Sequence, residues 1–139
     1  MTNVTLAQSY LTKARVRLTI LPVLFDAAAF SDVVREAQEV VELALKGMLR
    51  QVGVEPPHWH DVGGLVREHA ARFARLGPDD IERLARASAW LRKEREFAFY
   101  GDIDFLPTEQ YDAATARRAI DDAGFAVDCA GAVIDPGAR

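Results

Sequence analysis

Apolar residues recur along this chain at intervals of three and four almost throughout, and no clean alternating run marks a strand. The first periodic stretch runs from about Thr5 to Phe25, with Leu6, Tyr10, Ala14, Arg17/Leu18 and Leu21 on one face. Pro22 has no backbone N–H and crowds the preceding turn, so this helix is expected to kink or end early there. The second helix is the clearest. Ser31 or Asp32 is placed to cap it, and Val33, Ala37, Val40, Val41, Ala44, Leu45, Met48, Leu49 and Val52 make a broad apolar stripe. Gly53 stands where a residue free to take positive φ stops a helix. Near the stripe's edge Glu42 precedes Lys46 by one turn, a pair worth about 0.3–0.5 kcal/mol if exposed.

Two prolines, Pro56 and Pro57, hold the next turn extended, and Asp61 is a natural N-cap for a third helix. That helix carries Val62, Leu65, Val66, His69, Phe73 and Leu76 on one face, with Gly63 and Gly64 in its first turn. Gly77-Pro78 breaks the chain, and Pro78 suits the first turn of a fourth helix. There Ile81, Leu84, Ala85, Ser88, Leu91 and Arg95 repeat at helical spacing, which predicts an arginine on a buried face. Phe97, Phe99 and Tyr100 follow, then Gly101 and the acids Asp102 and Asp104 in a loop. Thr108 is expected to cap a fifth helix, with Glu109 and Asp112 suited to its positive end. Its face is largely alanine: Ala116, Ala119, Ala123 and Ala130, with Ile120, Val127 and Ile134. Such a helix must lie tightly against a neighbour, because small side chains allow close approach and supply little packing energy alone. About five helices with short connections predict an all-α antiparallel bundle with a four-helix, up-down core, spanning 1–139 as one domain.

Composition supports that picture and removes several functions. Half of the 139 residues are hydrophobic, enough for a real core, and the formal charge of -4 argues against a polyanion binder held by bulk charge. Neither DNA nor a membrane is expected as a partner. A single cysteine, Cys129, allows no internal disulfide, and no basic n-region precedes an apolar run, so a soluble cytoplasmic protein is expected. The charge is uneven: Val66 to Arg95 holds eight Lys/Arg against five Asp/Glu, whereas Phe97 onward holds three against eight.

Chemistry is sparse. His58, His60 and Asp61 share a turn, but a closed zinc site needs about four ligands. The only other histidine is His69, and the only cysteine, Cys129, lies far off in sequence, so the turn reads as a capped connection without metal. His69 falls on an apolar face, where a hydrogen-bonded core histidine is the simpler reading. Cys129 reads as a small buried hydrophobe. No glycine-rich phosphate loop is present, and no cofactor is expected. The arginines of the third and fourth helices offer phosphate contacts, and Trp59, Phe97, Phe99 and Tyr100 offer stacking, though solvated charge and core aromatics explain them as well. Arg95 is the unusual residue. Burying its guanidinium costs several kcal/mol unless it meets a carboxylate or phosphate, and Asp102, Asp104 and Glu42 are candidate partners.

The ordered set of these motifs resembles the HEPN family of small helical bundles, from about Tyr10 to Ile134. Ala37 to Leu49 is similar to that family's Glu-x-x-x-Lys second helix, with Glu42 and Lys46 in those places. Gly53, Pro57 and His60-Asp61 with Leu65 match its following turn, and Arg95 to Gly101 its final segment. The resemblance implies a homodimer encoded beside a minimal nucleotidyltransferase, in some pairs as a toxin–antitoxin component. It also implies a metal-independent ribonuclease where an arginine is followed by a histidine at the dimer cleft. Here Arg95 fits the arginine, but the matching place holds Tyr100 and no histidine occurs from Glu96 to Asp104. A phenol with an ordinary pKa near 10 is a poor general base at pH 7. The leading expectation is therefore a non-catalytic HEPN dimer that binds nucleotide or substrate for a nucleotidyltransferase, or is its target at Tyr100. The enzyme alternative is a ribonuclease with a degenerate Arg-x4-Tyr motif acting on RNA, and the further alternative is an adaptor without a ligand. Arg95, Tyr100, Asp102 and Arg92 are the candidate anion-binding residues, with Glu42, Lys46, His60 and Asp61 as structural ones.

Overall fold

The computed structural model describes residues 2–56, 58, 61–99 and 110–137, with the backbone alone at 96–99. Among the described residues every regular element is a helix: α1 (Asn3–Leu18), α2 (Leu21–Asp26), α3 (Phe30–Gln51), α4 (Val62–Glu68), a 3-10 turn (Ala70–Arg72), α5 (Pro78–Phe99) and α6 (Ala113–Ile134). The all-α bundle read from the sequence is what the chain forms. None of the helices is long and apolar enough to cross a membrane among the described residues.

The expected break near Pro22 falls slightly earlier. α1 closes at Leu18 through three-residue bonds from Thr19 and Ile20, and Pro22 sits in the first turn of α2, where its missing N–H costs nothing. The second helix begins before its predicted caps. Ala29 is the N-cap and makes no side-chain bond, while Ser31 lies buried inside the first turn. Its other end is as expected: Gly53 takes φ +82°, and the Gly53 and Val54 N–H groups return to the carbonyls of Arg50 and Leu49. The third helix is much shorter than its apolar spacing suggests. α4 stops at Glu68, and His69 lies half-buried at the junction with the 3-10 turn rather than in the core. The tighter turn lets Phe73 reach a buried position, 1% exposed, ahead of the Gly77-Pro78 break. Asp61 precedes α4 as predicted, but its carboxylate makes no capping bond. The Thr108 cap lies outside the described residues. The last helix begins at Ala113, where the Asp112 carboxylate accepts the Thr115 N–H at 2.8 Å.

Residue pairs fix the directions of the helices. Arg17 meets Glu36 while Arg50 meets Asn3, so α1 and α3 are antiparallel. Arg83 meets Asp122, and the Arg118 guanidinium covers the Trp90 ring at 3.9 Å, so α5 and α6 are antiparallel too. Arg95 near the end of α5 reaches Glu39 early in α3. α3 and α6 form the central pair, with α1 and α5 packed on them from opposite sides. The alanine face of α6 explains that closeness: Ala116, Ala119, Ala123, Ala126 and Ala130 are fully buried against α3, whose Val40, Leu45, Met48 and Leu49 are also fully buried. Each such large aliphatic side chain contributes about 1.5–3 kcal/mol of burial. α4 lies on α5 with almost no gap. A Cβ at Gly63 would stand 3.0 Å from the Ala85 Cα and 3.0 Å from the Ser88 Cβ, which is why a helix with glycine in its first turn is tolerated here.

Candidate functional site

α3 is buried on nearly every side, and its solvent-facing line runs Asp32, Arg35, Glu36, Glu39, Glu42, Lys46 and Arg50. Two acids of this line, Glu36 and Glu39, act as clasps for the flanking helices. Glu36 accepts from Arg17 of α1 at 2.7 Å, and this hydrogen bond to its carboxylate holds that guanidinium above its ordinary pKa. One turn on, Glu39 pairs with Arg95 of α5 at 2.7 Å. Glu42 carries the predicted bond to Lys46 at 3.7 Å and also accepts the Gln38 amide at 2.8 Å. Gln38 is only 3% exposed, and its own carbonyl oxygen has no hydrogen-bond partner.

This geometry corrects the reading of Arg95. Its side chain is 44% exposed rather than turned into the bundle, and its partner is Glu39 rather than Glu42. The apolar stripe of α5 is real as far as Leu91, which is fully buried, but Arg95 lies where α5 passes the acidic edge of α3. The long arginine stem lets the head group leave the stripe and stay in water. Arg92 reaches toward Asp61 at 4.0 Å, which ties the start of α4 to the same stretch of α5. Tyr100, Asp102 and His60 lie outside the described residues, so Arg95, Arg92, Glu42, Lys46 and Asp61 are the sequence candidates whose places are known.

Two contacts at this edge had weak signals in the sequence. Glu39 is one of several acids on a polar stripe, and nothing in its spacing singles it out. Tyr111 is buried at 8% exposure and donates to the Glu94 carboxylate at 2.8 Å, beside the Arg95 turn. Burial first, then the Glu94 carboxylate, push this phenol well above its ordinary range. It therefore acts as a fixed proton donor that joins the end of α5 to the start of α6. It is not a base.

What the described site can do is limited by charge. An anion approaching Arg95 meets a guanidinium already paired through one of its nitrogens with Glu39, so that carboxylate competes with it. No group of three histidine, cysteine or acidic side chains able to hold a metal occurs among the described residues. Cys129 is buried, and burial pushes its thiol up to about 12, so it stays protonated and unreactive at neutral pH, as its sequence context suggests.

An all-helical bundle with a charged central helix, clasped by arginines from both sides, is the class of protein defined so far. A family model for the HEPN domain matches residues 7–136, and the chain belongs to the HEPN domain family. A search of curated proteins found no match.

Proposed function

We propose that this HEPN domain is non-catalytic and acts as a single-domain homodimer that partners a minimal nucleotidyltransferase in the cytoplasm, as its nucleotide-binding half or its regulated target. The observation that carries this reading is the 2.7 Å pair between Arg95 and Glu39. A ribonuclease of this family type needs a guanidinium available to phosphate and an imidazole close by. Here a carboxylate competes for the guanidinium, and the sequence from Glu96 to Asp104 holds no histidine to serve as the base. Tyr100 then has a second use, as a phenol whose oxygen attacks the α-phosphorus of a nucleoside triphosphate on the partner, with pyrophosphate as the leaving group and the phenolic proton passing to the partner's base. Asp102 and Arg92 flank that position in sequence and are the candidate groups for the nucleotide's hydroxyls and phosphates.

The test is co-expression with the product of the neighbouring gene. The expected result is a complex that survives purification, and a gain of one nucleotidyl group or binding of the nucleotide that Tyr100→Phe or Arg95→Ala weakens. A complex that neither binds nucleotide nor gains mass makes the chain an adaptor. RNA cleavage abolished by Arg95→Ala overturns the proposal in favour of a ribonuclease built on the Arg-x4-Tyr motif.

A further inference from the structure

The end of the bundle away from Arg95 gathers positive charge that the chain does not neutralise. α3 closes there through Gln51 and Val52, and the 3-10 turn brings Arg72 beside them. Phe73 then enters the core and leaves Ala74 and Arg75 outside. With Ala132 and Val133 of α6 these residues line a cleft of about 280 Å³. No acid lines it. At this end of the bundle Glu55 is paired with Arg50, and Asp135 with Arg15. Two guanidiniums therefore share one concave surface without a carboxylate.

Arg72 is held in place. Its Nη1 donates to the Val52 carbonyl at 3.0 Å, which leaves the edge formed by Nε and Nη2 to take an oxyanion side-on. The end of α3 does not use up the remaining charge, because the carbonyls of Leu49 and Arg50 accept from Val54 and Gly53. Arg75 is exposed and makes no hydrogen bond or ion pair among the described residues.

The third polar group of the cleft is the Gln51 amide. Its Oε1 is buried without a hydrogen-bond partner, and a buried acceptor in that state lacks a donor. The two guanidiniums beside it do not supply one. Gln51 is itself partly exposed, and the last torsion of a glutamine side chain is broad, so a small rotation brings the amide to a molecule in the cleft. Val52, Ala132 and Val133 add an apolar wall.

We propose that this cleft binds a small phosphate monoester that carries a hydroxyl, a sugar or polyol phosphate. The phosphate lies between Arg72 and Arg75, since two cations match a dianion where one suffices for a carboxylate. The hydroxyl donates to Gln51 Oε1, and the carbon skeleton lies on Val52, Ala132 and Val133. A volume of about 280 Å³ is at the lower end of small-molecule sites, so the cleft takes a sugar phosphate rather than a chain of nucleotides. Gln51 stands twelve residues beyond Glu39 on α3, about 18 Å along the helix, so the cleft is separate from the Arg95 edge.

Amide NMR shifts of the isotope-labelled full chain test this, with glycerol phosphate, glycerol and inorganic phosphate as probes at constant ionic strength. Glycerol phosphate is expected to give saturable shifts at Val52, Ala74 and Val133 and to bind about tenfold more tightly than inorganic phosphate, while glycerol gives none. Arg75→Gln should weaken glycerol phosphate by about tenfold or more and Arg75→Lys by less, with circular dichroism showing both variants folded. Gln51→Leu should bring the ester and inorganic phosphate to the same affinity. Arg95→Ala should leave all of these shifts unchanged. No saturable shift at about 10 mM ligand, shifts centred on Glu39 and Arg95, equal binding of glycerol, or indifference to Arg75→Gln would each overturn the site. A Gln51→Leu variant that still prefers the ester would overturn the hydroxyl contact and with it the ligand class.

Discussion

Glu39 of α3 holds the Arg95 guanidinium of α5 at 2.7 Å while 44% of the arginine side chain stays exposed. The pair closes the edge of the bundle where the family resemblance places a phosphate-handling arginine. Its exposure decides its energetic weight, since water screens both charges and little desolvation is incurred.

Arg95→Ala and Glu39→Gln should therefore each lower stability by no more than about 1 kcal/mol, with a coupling between them of a few tenths. Urea denaturation of the two single variants and the double variant measures this. A loss of about 3 kcal/mol or more from either single change would mean the buried-charge situation that the spacing of α5 first suggests.

Gly63 and Gly124 should respond to alanine in opposite directions. At Gly63 the added carbon meets the Ala85 backbone and Ser88 Cβ at 3.0 Å, atoms that cannot rotate away, so α4 must lift from α5 at a cost of about 1–3 kcal/mol. At Gly124 nothing lies within 4 Å, and Gly124→Ala should stabilise α6 by about 0.5–1 kcal/mol through backbone entropy. Thermal unfolding of the two variants separates steric contact from propensity.

Ala28 takes φ +58° in the turn between α2 and α3, a left-handed conformation that its Cβ disfavours by roughly 1 kcal/mol. Ala28→Gly should be neutral to mildly stabilising, with relief of the strain offset in part by the looser unfolded chain. A clear destabilisation in urea would show that the alanine methyl makes a contact worth more than the strain.

Alkaline pH should weaken the fold. Burial raises the Cys129 thiol to about 12, and burial with the Glu94 carboxylate raises the Tyr111 phenol still further. Unfolded, these groups ionise near about 8.5 and 10, so above those values the unfolded chain holds fewer protons than the folded one. The stability they confer is whole below about pH 8.5 and falls as pH rises toward their folded values. Urea midpoints at about pH 8 and pH 10.5 should show the drop, and Cys129→Ala and Tyr111→Phe should each make it shallower. Equal slopes in the variants and the wild type would remove both residues as its cause.

The apolar period of α3 was legible because a central helix shows its burial in sequence, and Gly53 marked its end because a single backbone geometry needs that residue. The α4 segment was not. Val66 and Phe73 keep helical spacing, yet the chain tightens after Glu68 so that Phe73 can enter the core, and periodicity carries no sign of that choice. Arg95 differs for a related reason. Its spacing from Leu91 continues the helical period, but a long side chain need not follow its Cα inward when an acid stands at the edge.

The sequence by itself determined that the chain is helical, where its strongest helix stops, that α6 must pack closely, and that no histidine follows Arg95. These follow from local periods, backbone freedom and residue identity, which neighbours do not alter. Only the tertiary structure decided that Glu39 answers Arg95, that Tyr111 locks onto Glu94, and that Gln51 and Arg72 line one cleft. Each of those depends on which faces of separate helices meet, and residues far apart in the chain carry no local record of the meeting.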